Sequence, residues 1–393
     1  KLFIEINESK IIFAAGKYDE NLNFSILEKN ISSSNNFFNN ELINLNQSIE
    51  MIKNNIEIIE SKINYVFKDV TIILDKFNFS CVNISGYKRL NQSQILKENI
   101  SYILNSLKLN IIDNEKDKSI LHIFNSRSVL DGNITNNLPI GLFGNFYNHE
   151  LTFFLIKKND LKNIKQIFSK NSLNIKKIIN KNFIEGIQLM DSNISTETFF
   201  YIKIKKKSSS ISFFDNSAFR YYEKFNFGTN LLLQDISKVC SLSFEVIDNM
   251  LNNESFNKKN FQENDLIENS YFKNKNYKKI KKNLIKEIVQ ARIDEISNIF
   301  LFKNINMKTS QFNTKKVFII IEDDLVFNNF KDDFYFYFLK DFVDDITLSK
   351  DFDIDSIFNK AAHLSYFGWK KEAIPILQTK KSLITRIFKS IFE

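Results

Sequence analysis

The sequence has very few of the residues that build covalent cross-links and metal sites. Only two of its 393 residues, Cys81 and Cys240, are cysteines. This number excludes a disulfide framework and a structural zinc site. No cleavable signal is recognisable at the start of the sequence, and we therefore expect a protein of the reducing cytoplasm.

Residues typical of catalytic sites are also scarce. The three histidines, His122, His149 and His363, are far apart and lack the spacing of metal ligands. Neither a nucleophile elbow nor a phosphate-binding Gly-x-x-x-x-Gly-Lys motif occurs. The sequence predicts no catalytic residue and no metal site, and each histidine is interpreted as structural.

Long apolar runs are absent as well. A run such as Val317 to Ile321 is far shorter than the roughly 18 residues that cross a bilayer. We therefore expect any membrane contact to be peripheral.

Apolar and cationic residues, in contrast, are plentiful. A hydrophobic share of 43% in 393 residues supports a substantial core and two or more domains. The formal net charge of +8 permits attraction to acidic membranes or to phosphate groups. Phe, Asn, Ile and Lys are abundant while Pro and Trp are rare. This bias is typical of an AT-rich genome, so composition is a weak guide to function.

The first part of the chain predicts a pattern that recurs later. Residues 2–15 form a hairpin pattern around a polar turn at Asn7 to Ser9. Apolar residues at helical spacing follow from Leu42 to Phe67, and then a strand-like run from Val70 to Leu74. A second hairpin is predicted from Phe199 to Phe214. The repeated opening predicts a duplicated α/β architecture.

The remaining segments predict an inserted module and further helices. From Cys81 to Ile156 strands alternate with a helix at Gln92 to Leu107, which indicates a small inserted α/β module. A buried strand is predicted from Lys316 to Ile321. Helices are also predicted at Leu161 to Ile179, at residues 229–252, at Lys281 to Ile299 and at Phe358 to Phe367.

Two charged segments invite functional hypotheses that their residues do not support. Asp351 to Asp355 resembles the start of a calcium loop, but Ser356 replaces the glycine and Ala362 replaces the glutamate that such a loop requires. We interpret the whole acidic segment from Glu322 to Asp355 as a solvated surface. The Lys-rich stretch from Lys258 to Lys286 contains aromatic residues but no nucleic-acid-binding signature. We therefore expect no nucleic-acid partner.

The stretch from Ser382 to Glu393 has the pattern of a short helix that lies on a membrane. At about 100° per residue its apolar side chains share one half of the helix, and cationic residues occupy or flank the other half. An ordinary helix packed on the core is the alternative, and both remain open from the pattern alone. The predicted membrane-binding residues are Lys380, Lys381, Leu383, Ile384, Arg386, Ile387, Phe388, Lys389, Ile391 and Phe392.

In order and type, these motifs resemble the FtsA family of bacterial cell-division proteins over nearly the whole chain. Ile4 to Lys10 resembles the family's opening phosphate hairpin, and the tail occupies the position of its membrane-targeting helix. The inserted module is matched by Val82 to Gly86, Leu121 to Phe124, Leu130 to Gly132 and Leu138 to Gly144. Phe227 to Ile236 resembles the family's third phosphate loop and helix start, and Gln290 to Ile296 its Arg-x-x-Glu helix.

The resemblance implies an α/β fold of the actin-like, ribonuclease H-like class, with duplicated domains and an inserted small α/β subdomain. The first actin-like subdomain would comprise 1–79 and 157–197, with 80–156 as the inserted subdomain. The second would comprise 198–243 and 313–372, with 244–312 as its outer subdomain. Residues 373–393 would be a linker and the amphipathic membrane-targeting helix.

In function, the resemblance implies a cell-division adaptor on the cytoplasmic side of the bacterial inner membrane. Its expected partners are the C-terminal peptide of the tubulin homologue FtsZ, acidic inner-membrane lipids, later division proteins and further copies of itself in filaments. The rival hypotheses are an active actin-superfamily ATPase or sugar kinase, and a membrane scaffold like the actin-like protein of type IV pilus assembly.

The resemblance also implies where ATP would bind. In the family, glycines let the backbone approach phosphate closely, and acidic residues in the hairpins help to hold a metal ion and its water. The matching positions here are Glu5, Asn7, Ser9, Lys10, Lys205, Lys206, Lys207, Ser208, Ser209, Gly228, Thr229, Arg292 and Glu295.

This chain departs from the family at several of these positions. Asn7 replaces a glycine, Lys203 replaces the acidic residue of the second hairpin, and Lys205 to Lys207 replace its Gly-rich turn. Glu322 stands where a glycine would contact adenosine. We therefore predict a pseudo-ATPase without hydrolysis and with no certain cofactor. Binding of ATP without a metal ion, through the lysines of the second turn, remains the alternative.

Overall fold

The computed structural model describes residues 1–39, 42–135, 137–193, 196–253, 264–273, 275–306, 316–340 and 343–373. The chain divides into two compact units. Unit 1 consists of Lys1–Ser80 and Lys162–Phe367, and unit 2 consists of Cys81–Leu161 and the segment that begins at Gly368. The predicted membrane-binding residues, Lys380 to Phe392, lie outside the described residues.

The strands and helices are numbered in chain order. The strands are β1 (Leu2–Ile6), β2 (Lys10–Tyr18), β3 (Phe24–Ser33), β4 (Phe38–Asn39), β5 (Leu42–Ile43), β6 (Asp69–Leu74), β7 (Phe79–Arg89), β8 (Lys118–Leu130), β9 (Asn133–Thr135), β10 (Phe146–Lys157), β11 (Asn174–Asn180), β12 (Phe199–Ile204), β13 (Ser209–Asp215), β14 (Ala218–Phe225), β15 (Lys316–Ile321) and β16 (Asp345–Ser349). The helices are α1 (Leu45–Ile63), α2 (Lys97–Asn114), α3 (Lys158–Lys170), α4 (Lys181–Ser192), α5 (Asn230–Cys240), α6 (Phe244–Leu251), α7 (Lys282–Ser297), α8 (Asp324–Phe338) and α9 (Ile354–Phe367).

The first half of unit 1 is built on a sheet with the strand order β11-β6-β1-β2-β3. The predicted opening hairpin is confirmed, because β1 pairs antiparallel with β2 around the turn at Asn7 to Ser9. On its other side β1 pairs parallel with β6, and β6 pairs parallel with β11. The central strand β1 is buried along its whole length. Its carboxyl end therefore lies in the middle of the sheet, where the turn to β2 begins.

The second half of unit 1 repeats this topology. Its sheet has the order β14-β13-β12-β15-β16, with β12 antiparallel to β13 and parallel to β15. The outermost parallel strand is again the last one in sequence. The predicted duplication of an α/β unit that begins with a hairpin is therefore confirmed. The two central strands, β1 and β12, end in equivalent hairpin turns.

The long helix α1 shows how the local sequence sets helix bounds. Apolar residues at helical spacing, such as Ile52, Ile56 and Ile59, form its buried face. Asn44 caps the helix start by accepting from the backbone N–H of Gln47. Asn64 ends it in the left-handed conformation, with φ of 55°. The predicted helix between Leu42 and Phe67 is confirmed with these narrower bounds.

Two of the predicted helices are corrected by the structure. The helix predicted from Leu161 to Ile179 ends at Lys170, and residues 174–180 form β11 instead. Ile175, Ile178 and Ile179 are β-branched and pair with β6, so pairing within the sheet decides the conformation. The helix predicted over 229–252 is two helices, because Ser241 between them adopts a left-handed φ of 50°.

Unit 2 contains a sheet with the order β7-β10-β8-β9 and the helix α2. Its core brings Ile103 and Leu107 of α2 together with Ile123 of β8 and Phe153 of β10. No helix among the described residues of either unit has the length and hydropathy needed to cross a membrane.

The last described residues of the chain join the sheet of unit 2. The N–H of Ala373 donates to the carbonyl of Ile123 at 2.7 Å, and the N–H of Asn125 donates to the carbonyl of Lys371 at 2.7 Å. Next to these bonds the buried His122 pairs through Nδ1 with Glu372 Oε1 at 2.8 Å. Residues 371–373 thus lie along the edge of β8, whereas the sequence analysis assigned residues up to 372 to the second actin-like subdomain.

His149 provides a test of the core of unit 2. The side chain is buried, and neither ring nitrogen has a hydrogen-bond partner among the described residues. Burial lowers the pKa of His149 to about 4, whereas an unfolded histidine has a pKa of about 6.5. As the pH falls through this window the unfolded chain binds the proton and the folded chain does not. The free energy of unfolding should therefore be highest above about pH 6.5 and fall by about 3 kcal/mol toward pH 4.

The measurement is urea unfolding of the wild type and of His149→Leu across this pH range. The variant should lose this part of the pH dependence. The comparison is His363→Gln, which changes an exposed histidine. Burial and the nearby Lys360 also lower the pKa of His363, so this variant should remove a smaller part of the slope than His149→Leu does. Equal pH dependence in His149→Leu and wild type would show that His149 is not the group responsible.

Candidate functional site

The candidate site lies inside unit 1, where the two equivalent hairpin turns face each other. The β1–β2 turn contains Asn7 and Glu8, and the β12–β13 turn runs from Lys205 to Ser208. Ser208 Oγ donates to Glu8 Oε1 at 2.9 Å across the cleft. The turns meet because each belongs to a hairpin whose first strand is central in its sheet.

Lys203 is the central cation of this cleft. The residue is 1% exposed, and its Nζ lies 2.5 Å from Glu185 Oε1, 2.8 Å from Glu322 Oε1 and 3.8 Å from Asp351 Oδ1. Tyr201 also donates to Glu185, at 2.7 Å. Burial disfavours the charged ammonium, but Glu185 and Glu322 outweigh this effect and hold the pKa of Lys203 well above its usual value.

Lys181 is a second buried cation, and it forms an ion pair with Glu5, the acidic residue of the first hairpin. Its Nζ donates to Glu5 Oε1 at 2.8 Å and lies 3.8 Å from Glu185 Oε1. The side-chain amide of Asn7 donates to the same oxygen of Glu5 at 3.3 Å. Burial opposes the charge of Lys181, but the attraction of Glu5 and its neighbours raises the pKa of Lys181 above its usual value.

Lys205 makes a third ion pair across the cleft. Its Nζ lies 2.6 Å from Oδ2 of Asp75, the residue that follows β6. Burial favours the neutral form of Asp75, but the ammonium groups of Lys205, Lys203 and Lys181 together outweigh it and lower the pKa of Asp75. Lys224 lies nearby, with its Nζ 3.6 Å from Glu8 Oε1.

The loop before α5 is hydrogen-bonded to the β12–β13 turn. The backbone N–H groups of Thr229 and Asn230 donate to the carbonyls of Lys205 and Lys206 at 2.9 and 3.0 Å. The N–H groups at the start of a helix are the donors that commonly bind phosphate, and here these two have backbone partners. A Cβ on Gly228 would lie 1.9 Å from the carbonyl oxygen of Lys205, so the close approach of turn and loop requires glycine at this position.

Three other predicted site residues, Arg292, Glu295 and Thr229, take no part in the ion pairs described above. Arg292 Nε on α7 lies 2.5 Å from Asp235 Oδ2 on α5, and Arg292 also pairs with Glu295. The hydrogen bond to Asp235 raises the pKa of Arg292. Thr229 Oγ1 donates to the buried Asp323 at 2.7 Å.

Five further candidates belong to the two hairpins themselves. Ser209 Oγ donates to the carbonyl of Phe227 at 2.8 Å. Ser9 lies in the first turn, and Lys10 opens β2. Lys206 and Lys207 form the exposed tip of the second turn.

A magnesium–nucleotide complex does not fit this arrangement. The cavity beside the second hairpin has a volume of about 10 Å³, which is room for about one water molecule. Glu5 already accepts from Lys181, and Lys203 occupies the position of the second acidic residue. Among the described residues no group of three or more His, Cys, Asp or Glu side chains is placed to hold a metal ion. The cavity is lined by Asp75, Asn182, Lys203, Lys205, Ser208, Ser209, Ser210, Tyr222 and Lys224.

Three residues that dominate this cleft were missed by the sequence analysis. Lys181 and Glu185 are four residues apart at the start of α4, and Asp75 directly follows the buried strand β6. A charged pair at helical spacing and an acidic residue at the carboxyl end of a buried strand were both visible signals. Their partners could not be read from local sequence, because Lys205 and Asp75 are 130 positions apart.

Comparison with known proteins supports the resemblance to FtsA. No protein-family model matches the chain. The cell division protein FtsA of Buchnera aphidicola subsp. Schizaphis graminum (strain Sg) is 24% identical over 176 residues. This match covers 45% of the chain and 42% of that protein, so less than half of the relative's length is matched.

One solved structure supports the fold, and a second shows a weaker similarity. The PilM-PilN type IV pilus biogenesis complex contains a chain similar to this one with a TM-score of 0.50 and 7% identity, over 94% of this chain and 97% of that chain. A Bacteroides thetaiotaomicron protein of unknown function, described as having an actin-like ATPase fold, gives a TM-score of 0.39 and 11% identity, over 91% and 94% of the two chains. The actin-like fold that the motifs predicted is confirmed, and the chain is similar to FtsA over part of its length.

The ion pairs of the cleft predict the effect of removing one charge. Lys203→Met should lower the free energy of unfolding by about 3–5 kcal/mol, because Glu185 would remain as a buried charge without its closest cation. Burial already raises the pKa of Glu185, and loss of the ammonium should raise it further. The folded variant should then bind a proton at a higher pH than the unfolded chain does. Its deficit should therefore shrink as the pH falls from neutral toward 5.

Urea unfolding of matched variants measures this effect. Lys207→Met changes an exposed lysine of the same hairpin and should stay within about 0.5 kcal/mol of the wild type. Adding Glu185→Gln to Lys203→Met removes the unpaired charge and should recover much of the loss. If Lys203→Met proves as stable as Lys207→Met, the central role assigned to Lys203 is wrong.

Proposed function

We propose that this chain is a cell-division adaptor that attaches FtsZ polymers to the cytoplasmic face of the bacterial inner membrane without hydrolysing ATP. The observation that carries the second part is the set of buried ion pairs in the cleft. The first part rests on the order of the FtsA-type motifs and on the similarity to a named FtsA protein. Recruitment of later division proteins and self-association into filaments belong to the same proposal.

Electrostatic and steric effects in the cleft oppose ATP turnover. A metal ion beside Glu5 would have to displace the ammonium of Lys181, which is 2.8 Å away. Phosphates near the start of α5 would have to break the hydrogen bonds that the N–H groups there donate to the carbonyls of Lys205 and Lys206. Each displacement leaves a buried polar or charged group without its partner, which is costly.

Membrane attachment is proposed to come from Ser382 to Glu393. Cationic residues near an acidic surface contribute about 1 kcal/mol each, but a short helix pays an ordering cost on binding. A single copy should therefore bind weakly. Filaments that present many copies of the segment would attach firmly through avidity.

The two rival functions make different demands on the chain. An active ATPase or kinase needs open phosphate loops, and Lys203 and Lys205 with their partners argue against it. A type IV pilus scaffold is favoured by the similarity to a chain of the PilM-PilN complex, but that similarity at 7% identity concerns the fold alone. The match to FtsA and the amphipathic segment favour cell division.

ATP binding and hydrolysis provide the first test. Calorimetric titration with magnesium ATP should give no binding heat, and a phosphate-release assay should give no turnover, because the cations of the cleft already hold its carboxylates. A stoichiometric magnesium-dependent complex with steady phosphate release would overturn the pseudo-ATPase proposal. Binding of ATP without magnesium that is lost on replacing Lys206 and Lys207 would instead favour the metal-free alternative.

Recruitment of FtsZ to vesicles tests the adaptor function directly. Purified FtsZ polymers should co-sediment with acidic vesicles only when the intact chain is present. A chain that ends at Thr379 should still bind the FtsZ C-terminal peptide in a pull-down but should leave the polymers in the supernatant. The double variant Ile387→Asp, Phe388→Asp should behave like the truncation, because its apolar stripe is interrupted by charge.

The matched control for this experiment is Thr385→Ser, which keeps the polar face of the segment polar. It should recruit FtsZ as well as the intact chain does. If the truncation still brings FtsZ to acidic vesicles, the membrane role of Ser382 to Glu393 is wrong. If the intact chain fails to bind the FtsZ peptide at all, the adaptor proposal itself is wrong.

A further inference from the structure

We propose that the two halves of unit 1 are held closed by a clasp that the chain supplies itself. The clasp consists of the ion pairs Lys203–Glu185 and Lys205–Asp75 and the hydrogen bond Ser208–Glu8. In each contact one residue comes from the second half and the other from the first. The state of the cleft would then be fixed by the sequence and would not respond to nucleotide.

The contacts of the clasp come from one hairpin and spread over separate elements of the first half. Lys203, Lys205 and Ser208 all belong to the β12–β13 hairpin. Their partners lie on α4, after β6 and in the β1–β2 turn, at distances of 2.5, 2.6 and 2.9 Å. A hairpin tied at three places to three elements cannot swing away without breaking all of them together.

The hairpin that carries these side chains is itself fixed to the second half. The carbonyls of Lys205 and Lys206 accept hydrogen bonds from the N–H groups of Thr229 and Asn230. The turn backbone also lies directly against Gly228. If the first half moved away, a shift of this turn alone could therefore not keep the lysine side chains in contact with their partners. Separation of the halves has to break the ion pairs.

Breaking the pairs is unfavourable because three of their four charged members are buried and the fourth, Lys205, has a side chain that is only 12% exposed. The side chains of Lys203, Glu185 and Asp75 are 1%, 0% and 2% exposed. The cavity beside them, about 10 Å³, has room for about one water molecule. A partly opened cleft would leave these charges unpaired before water could hydrate them, which is the costly condition for a buried ion pair. The clasp thus favours one closed arrangement over any partly open one.

A spin-label distance across the cleft tests the clasp in the full chain. Cys81→Ser and Cys240→Ala remove the native thiols, and labels are placed at Asn54→Cys on α1 and Lys238→Cys on α5. Both positions are exposed and lie in different halves. The background chain should give one narrow distance distribution, and magnesium ATP should leave it unchanged. Lys205→Met should add a second, longer population, because Asp75 loses its closest cation.

The control replaces Lys206 and Lys207 of the same turn by Met, and it should keep the narrow distribution. If circular dichroism shows that Lys205→Met does not fold, the pair Lys205→Met, Asp75→Asn removes both charges and should still show the longer population. A single unchanged distance in the folded variant would overturn the clasp, and so would a shift of the background chain on addition of magnesium ATP. FtsZ recruitment is scored separately, so its failure with an intact clasp would count against the adaptor function alone.

Discussion

The arrangement of unit 1 depends on the buried carboxylate of Glu185. It accepts hydrogen bonds from Lys203 Nζ and Tyr201 OH, and Lys181 Nζ lies 3.8 Å from one of its oxygens. A buried carboxylate without such neighbours would be strongly unfavourable. Because Glu185 lies on α4 and Lys203 on β12, satisfying this one charge brings the two halves of the unit together.

The fold was predictable where the signal is local, and less so where strands pair over long distances. Two hairpins and the helix around Ile56 follow from alternation and helical spacing within short windows. The stretch 174–179 was predicted as the end of a helix that begins at Leu161, and pairing with β6 makes it part of a strand. In the cleft, Lys203 and Lys205 stood out as departures from a family pattern. Their partners Glu185 and Asp75 did not, because only the folded chain brings them within contact.

The acidic segment from Glu322 to Asp355 illustrates the same limit. It was interpreted as a solvated surface, yet residues 324–338 form α8 with Phe330, Phe334 and Phe338 buried. These phenylalanines are spaced four residues apart and therefore lie on one face of the helix, which packs in the core. The carboxylates of this acidic helix lie on its other faces. Asp351, within the same segment, lies 3.8 Å from Lys203. Net charge along a segment therefore says little about which of its faces is buried.

The attachment of residues 371–373 to β8 also has a mechanical consequence. The bonds from Ala373 to Ile123 and from Asn125 to Lys371 run between antiparallel backbones, and the pair His122–Glu372 lies next to them. A pull on the chain beyond Ala373 is borne first by these bonds and by the β8–β10 pairing behind them. Tension applied there loads the sheet of unit 2 before it reaches Gly368 and α9.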